Sequence, residues 1–124
     1  MIKGTGIDIV EIKRMEPWLS NTKLLERFFH SDEISYSLSM GKNAAGSLAA
    51  RFAAKEAFGK ALGTGIKNIS INDIMVFNDE NGKPEIKLFG SAKKKLEESG
   101  AQKIHISLSH ERENAIAMII LEEA

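Results

Sequence analysis

The chain contains no cysteine. Disulfides, thiolate metal sites and thiol nucleophiles are therefore excluded, and the composition is compatible with a reducing, cytoplasmic setting. Net charge is also missing, because 17 lysines and arginines balance 17 aspartates and glutamates. That leaves no global basic field of the kind bulk nucleic-acid binding uses, so no nucleic-acid partner is expected. No apolar run approaches the roughly 18 residues that signal a membrane helix, so no membrane partner is expected either. The opening MIKGTGIDIVEI lacks a long apolar core followed by a small-residue cleavage site, and is expected to be mature protein rather than a signal peptide. Repeats, linkers and low-complexity tracts are absent too. The 124 residues are expected to form one domain, 1–124. A chain of this size can bury about two thirds of its unfolded surface, enough for a core.

What is present reads as a mixture of strands and helices. Ile2 to Ile12 is β-branched and predicts a strand. Lys13 to Phe29 is helical but interrupted at Pro17, which suits only a first turn. Ser31-Asp32 resembles a helix N-cap for a short segment ending near Gly41. Asn43 to Leu62 predicts a long helix stopped by Gly63. Ile69 to Phe77 and Pro84 to Phe89 predict a hairpin around Asn81-Gly82. Ser91 to Ser99 predicts a charged helix stopped by Gly100. Ile104, Ile106 and Leu108 alternate with polar residues as in a half-buried strand, and Ala115 to Leu121 is a nearly continuous apolar strand. Without a regular βαβ alternation, the fold class is α+β.

Two carboxylates stand out. At about 100° per residue, Phe52, Ala53 and Ala49 lie near the direction of Glu56, with Lys60 one turn on, so both charges sit on the apolar side of an amphipathic helix. Asp8 shares a strand face with Gly6, Val10 and Ile12, while Ile7 and Ile9 line the other face. Acids in apolar surroundings pair, coordinate a cation or neutralise. Asp8 and Glu56 together suggest a hard divalent cation. Magnesium is typically held by one or two carboxylates, with water and substrate phosphate completing its shell. The alternative is that each pairs with a nearby lysine or caps backbone amides.

Lys60 can form an i,i+4 pair with Glu56 or neutralise a phosphate. Arg51 and Lys55 point elsewhere and read as a solvated helix face. Gly59 lets another backbone or a ligand approach, or is merely tolerated. Gly63-Thr64-Gly65 and Gly4-Thr5-Gly6 are weak candidates for amide-lined phosphate loops. His110, after Ser107-Leu108-Ser109, can act as a base or phosphate donor. His30 and His105 have no special context. The Lys93-Lys94-Lys95 run reads as a solvated face.

The segments Gly4-Thr5-Gly6-Ile7-Asp8-Ile9-Val10-Glu11-Ile12 and Arg51-Phe52-Ala53-Ala54-Lys55-Glu56-Ala57-Phe58-Gly59-Lys60 closely resemble the two signatures of 4′-phosphopantetheinyl transferases. Chain length and the Ser107–His110 ending resemble the family's short form. The resemblance implies a mainly antiparallel sheet wrapped on a long helix, in a homotrimer whose active sites are shared between neighbours. It implies transfer of the 4′-phosphopantetheine arm of coenzyme A to a serine of apo-acyl carrier protein, releasing adenosine 3′,5′-bisphosphate. Asp8 and Glu56 would bind Mg2+, and Lys60 would sit near the pyrophosphate. Arg51, Gly65 and His110 match positions around the nucleotide end, and Arg14 matches a position that docks the acidic carrier protein. Glu56, directly or through water, is a candidate base, and a metal-bound water is another. A non-catalytic coenzyme A or nucleotide-binding module is the competing reading. A structural subunit with Asp8 and Glu56 ion-paired in the core is a third.

Overall fold

Alanine dominates the segment that becomes the centre of the molecule. In the computed structural model, which describes residues 1–124, helix α3 (Ala44–Leu62) buries 14 of its 19 residues. A helix with no polar stripe is covered on all sides. It ends where Gly63 takes φ 83°, the left-handed conformation that glycine adopts without a Cβ penalty. The amphipathic reading of this helix is therefore corrected. Arg51 and Lys55, expected on a solvated face, are 4% and 0% exposed.

Strands β1 (Ile2–Glu11), β4 (Lys103–His110) and β5 (Asn114–Glu122) form an antiparallel sheet in the order β1-β5-β4. Asp8 lies opposite Ala117, which lies opposite Leu108. One face of the sheet packs on α3, and glycine sets how closely. A Cβ on Gly6 would overlap the Ala57 carbonyl oxygen and stand 2.8 Å from the Ala61 nitrogen. Gly4 meets the Ala61 carbonyl in the same way. Gly4-Thr5-Gly6 is thus no phosphate loop but strand backbone against which the helix lies. That contact brings Asp8 beside the last turns of α3. Gly59 has a similar purpose: a Cβ there would sit 2.5 Å from the Gly65 carbonyl carbon.

The remaining elements wrap the other sides of α3. Ile12–Ser20 is a 3-10 helix that takes Pro17 inside it, and α1 (Thr22–Phe28) follows. Helix α2 (Ser31–Leu38) is capped by His30 rather than by Ser31-Asp32. The Asp32 amide donates to His30 Nδ1 at 3.1 Å, and the His30 amide donates to Glu33 Oε1 at 2.9 Å. This is a capping box with histidine in the usual place of serine or threonine. Strands β2 (Ile74–Asn78) and β3 (Pro84–Leu88) form the expected hairpin. It starts later than Ile69 because Ile71–Asp73 coils into a 3-10 turn. There the Asp73 carboxylate accepts from the Ser91 amide at 3.1 Å, at the start of α4 (Gly90–Ser99).

The sheet is apolar on both faces, yet α3 covers only one. Along β5, Ala115, Ala117, Ile119 and Leu121 are buried, whereas Ile116 and Met118 face outward. Their partners across the ladder are Ile9 and Ile7, which are 59% and 60% exposed. Asp8 is accordingly flanked by apolar residues of which one set lies in the open.

Candidate active site

The last turns of α3 run past the middle of β1, and the close contact at Gly6 aligns three charged side chains. Lys60 Nζ donates to Asp8 Oδ1 at 2.9 Å and to the Ile7 carbonyl at 2.9 Å. Lys60 therefore pairs with Asp8 rather than with Glu56 one turn before it. Glu56 is half-buried beside them. Burial holds its carboxyl above the ordinary carboxylate value, Asp8 adds to the rise, and Lys60 and Arg14 oppose it. Arg14 lies with its guanidinium 5.4 Å from the centre of the Phe52 ring, one turn ahead of Glu56.

Two carboxylates held near one another in partial burial repel, and a cation relieves the cost of charging both. No group of three or more His, Cys, Asp or Glu side chains gathers here or elsewhere in the chain. The donor set does not make an all-protein cage. It fits an ion such as magnesium, which takes one or two carboxylates and fills its shell with water and phosphate oxygens. Lys60, more exposed than Asp8, stands where an anionic ligand of that ion would approach.

Arg51 and His110 lie apart from this cluster within the protomer, whereas Gly65 adjoins it. Arg51 precedes Glu56 by five residues, about 140° around the helix at 100° per residue. It faces α2 and the β2–β3 hairpin, with Nη1 donating to Ser47 Oγ at 3.0 Å and Nη2 to Asn78 Oδ1 at 2.9 Å. The Tyr36 ring covers its guanidinium, with Cζ 4.6 Å from the ring centre. Burial lowers the Arg51 pKa, against the raising influence of Glu33 and Tyr36. Gly65 donates its amide to the Gly59 carbonyl at 2.9 Å, which ties its loop to the turn that carries Lys60. His110 is exposed at the end of β4, across β5 from Val10. Two ladder spacings put it about 10 Å from β1.

The sequence from residue 4 to residue 119 matches the family model of the 4′-phosphopantetheinyl transferase superfamily. The chain belongs to that superfamily. It is 57% identical over 122 residues to the holo-[acyl-carrier-protein] synthase of Treponema denticola, covering 98% of this chain and 99% of that one. Its fold is similar to the crystal structure of a holo-(acyl-carrier-protein) synthase from Bacillus anthracis in complex with CoA (3′,5′-ADP). That match has a TM-score of 0.83 and 39% identity, over 100% of this chain and 99% of the other. The holo-[acyl-carrier-protein] synthase of Neisseria meningitidis superposes with a TM-score of 0.89 and 36% identity, over 99% and 100% of the two chains. The α+β architecture, an antiparallel sheet against one long helix, is that of the superfamily.

Sequence reasoning misread Lys55 as solvated and passed over Glu33, Tyr36 and Asn78, all of which the fold makes prominent. Lys55 Nζ donates to Glu33 Oε1 at 2.7 Å, to the Ile71 carbonyl at 3.2 Å and to the Ile74 carbonyl. Glu33 Oε2 accepts from the Val76 amide at 3.0 Å. Burial pushes the Lys55 ammonium below the ordinary lysine value, and Glu33 opposes the fall. A usable signal existed for Lys55, since alanines and phenylalanines surround it on every side of the helix. Glu33 had only its place three residues after His30. Tyr36 and Asn78 had none.

Proposed function

We propose that this chain transfers the 4′-phosphopantetheine arm of coenzyme A to a serine of apo-acyl carrier protein. The products are holo-acyl carrier protein and adenosine 3′,5′-bisphosphate, in support of fatty acid biosynthesis. The observation that carries this reading is the joining of Asp8, Glu56 and Lys60 where β1 meets α3. Superfamily membership and the coenzyme A complex of a 39% identical structure support it.

Asp8 and Glu56 would hold magnesium, which when bound polarises the pyrophosphate and stabilises the departing bisphosphate. Lys60 neutralises charge on the same phosphates once its contact with Asp8 is exchanged for them. The serine oxygen forms a bond to phosphorus as the pyrophosphate P–O bond breaks. Glu56, with a carboxyl already shifted toward neutrality, accepts the hydroxyl proton directly or through one water. Arg14, exposed beside Phe52, meets the acidic carrier protein, with Lys13, Lys23 and Arg27 as the rest of a local basic patch.

The 124 residues act as one domain within a homotrimer, in the cytoplasm. The support for self-association is the uncovered sheet face of Ile7, Ile9, Ile116 and Met118, an apolar patch of the kind that marks interfaces. The separation of Arg51 and His110 from the Glu56 cluster is consistent with sites completed by a neighbour. No helix is long and apolar enough to cross a membrane.

Mass spectrometry of apo-acyl carrier protein after incubation with the enzyme, coenzyme A and magnesium tests the reaction. The expected result is a mass gain of one phosphopantetheine arm, abolished by a chelator. Coenzyme A binding without any mass gain would instead make the protein a binding module.

A further inference from the structure

Arg51 is a buried cation whose hydrogen bonds all go to neutral groups. Nη1 donates to Ser47, Nη2 donates to Asn78, and Nε, also buried, has no partner. The carboxylate that influences it, Glu33, is already committed. Its Oε1 accepts from Lys55 Nζ at 2.7 Å and from the His30 amide at 2.9 Å, and its Oε2 accepts from the Val76 amide at 3.0 Å. Buried charges ordinarily pair, and a guanidinium ordinarily takes a carboxylate. The side chain that meets Nη2 has the shape of an aspartate but carries an amide in place of the second oxygen.

That amide makes a second contact. Asn78 Nδ2 donates to the Gly82 carbonyl at 3.0 Å, in the turn of the β2–β3 hairpin. The turn is closed on itself, with the Asn81 and Lys83 amides donating to Asp79 Oδ1 at 2.8 and 2.9 Å. Its lysine, Lys83, is paired with Glu85 at 2.9 Å. Asn78 is exposed, so the Nη2 end of Arg51 lies just beneath the surface. One neutral side chain thus registers the arginine and the hairpin turn against each other and adds no negative charge.

We infer that Asn78 is a positioning residue, holding Arg51 in place while leaving its charge free for a phosphate at the nucleotide end of coenzyme A. The inference rests on the function proposed above and on the place at the nucleotide end that the family resemblance implies for Arg51. A buried charge is weakly screened, so its field reaches a ligand at the surface above it. A carboxylate at position 78 would satisfy the arginine and remove the attraction.

The test is Asn78→Asp, which preserves shape and supplies that carboxylate. Because the variant also loses the Asn78 donation to the Gly82 carbonyl, its stability is not the readout. The expected result, in a protein still folded at the assay temperature by circular dichroism, is that the Kd for adenosine 3′,5′-bisphosphate by calorimetry and the KM for coenzyme A both rise about tenfold, with kcat at saturating coenzyme A largely kept. Asn78→Ala, which removes the contact but adds no charge, is expected to lower stability and to weaken bisphosphate binding less than Asn78→Asp does. Bisphosphate affinity of Asn78→Asp within about twofold of wild type would overturn the inference, as would a loss of affinity no greater than that of Asn78→Ala. Carrier-protein labelling by the wild type is scored separately. Labelling without the Asn78→Asp effect rejects the role of Asn78 alone, and no labelling rejects the proposed reaction.

Discussion

Lys55 and Glu33 are bonded at 2.7 Å with neither side chain reaching water. The pair joins the first turn of α2, the middle of α3 and the start of β2, since Glu33 also accepts from the Val76 amide and Lys55 also donates to the Ile71 and Ile74 carbonyls. The next residue along α3 is Glu56, so the same helix turn carries a structural charge inward and a candidate catalytic charge toward β1.

Breaking that pair from one side leaves a charge buried without its partner. Lys55→Met is expected to cost about 3–5 kcal/mol of stability. Urea unfolding of the variant and wild type measures the difference, and a loss below 1 kcal/mol would contradict the assigned importance of the contact.

Glu56 predicts a pH dependence. Its carboxyl is raised above 4.5 by burial and by Asp8, so the native state binds the proton more tightly than the unfolded chain does. This group's stabilisation is complete below the unfolded value and is lost as pH rises through the higher folded value. In the presence of a chelator, Glu56→Gln should flatten that part of the Tm-versus-pH curve and be more stable than wild type at pH 7. Its turnover should nevertheless fall by about 10²–10⁴-fold if Glu56 takes the proton.

The approach of β1 to α3 leaves no room for a methyl group at Gly6, because the neighbours are helix backbone atoms that cannot rotate aside. Gly6→Ala should destabilise the protein by about 3 kcal/mol, at the upper end of overpacking costs. Lys93→Ala, on the exposed side of α4, serves as the control and should change the urea midpoint little.

Arg14 serves two neighbours, lying over Phe52 and opposing the rise of the Glu56 carboxyl pKa. Arg14→Glu is expected to weaken carrier-protein affinity more than coenzyme A affinity, and to reduce the salt dependence of carrier association. Surface plasmon resonance with each ligand separates the two. Equal carrier affinity in wild type and variant would remove Arg14 from the docking surface.

The uncovered sheet face predicts an oligomer. Wild type should sediment as a trimer, and the double variant Ile9→Lys, Met118→Lys should sediment as a monomer with its helical circular dichroism intact. Both positions are exposed in the protomer, so the fold itself has little to lose from the change.

The sequence determined a good deal by local means. Gly63 and Gly100 end their helices because each adopts a left-handed conformation that other residues resist. The alternation around Ile104, Ile106 and Leu108 marks β4, and the pairing of an acid in the first strand with an acid in the long helix marks Asp8 and Glu56 for attention. Periodicity did not reveal which apolar faces would be covered. Helix α3 hides Arg51 and Lys55 because α2 and the hairpin close over them, whereas Ile7 and Ile9 stay open because nothing in the protomer packs there. Nor could spacing choose a partner for Lys60. Helical geometry offers it Glu56 four residues away, but the glycine-permitted contact of β1 with α3 offers Asp8 at 2.9 Å across 52 residues. Capping and turn formation depend on neighbours within a few residues and can be read along the chain. Burial and charge pairing depend on which surfaces meet, and only the tertiary structure decided that.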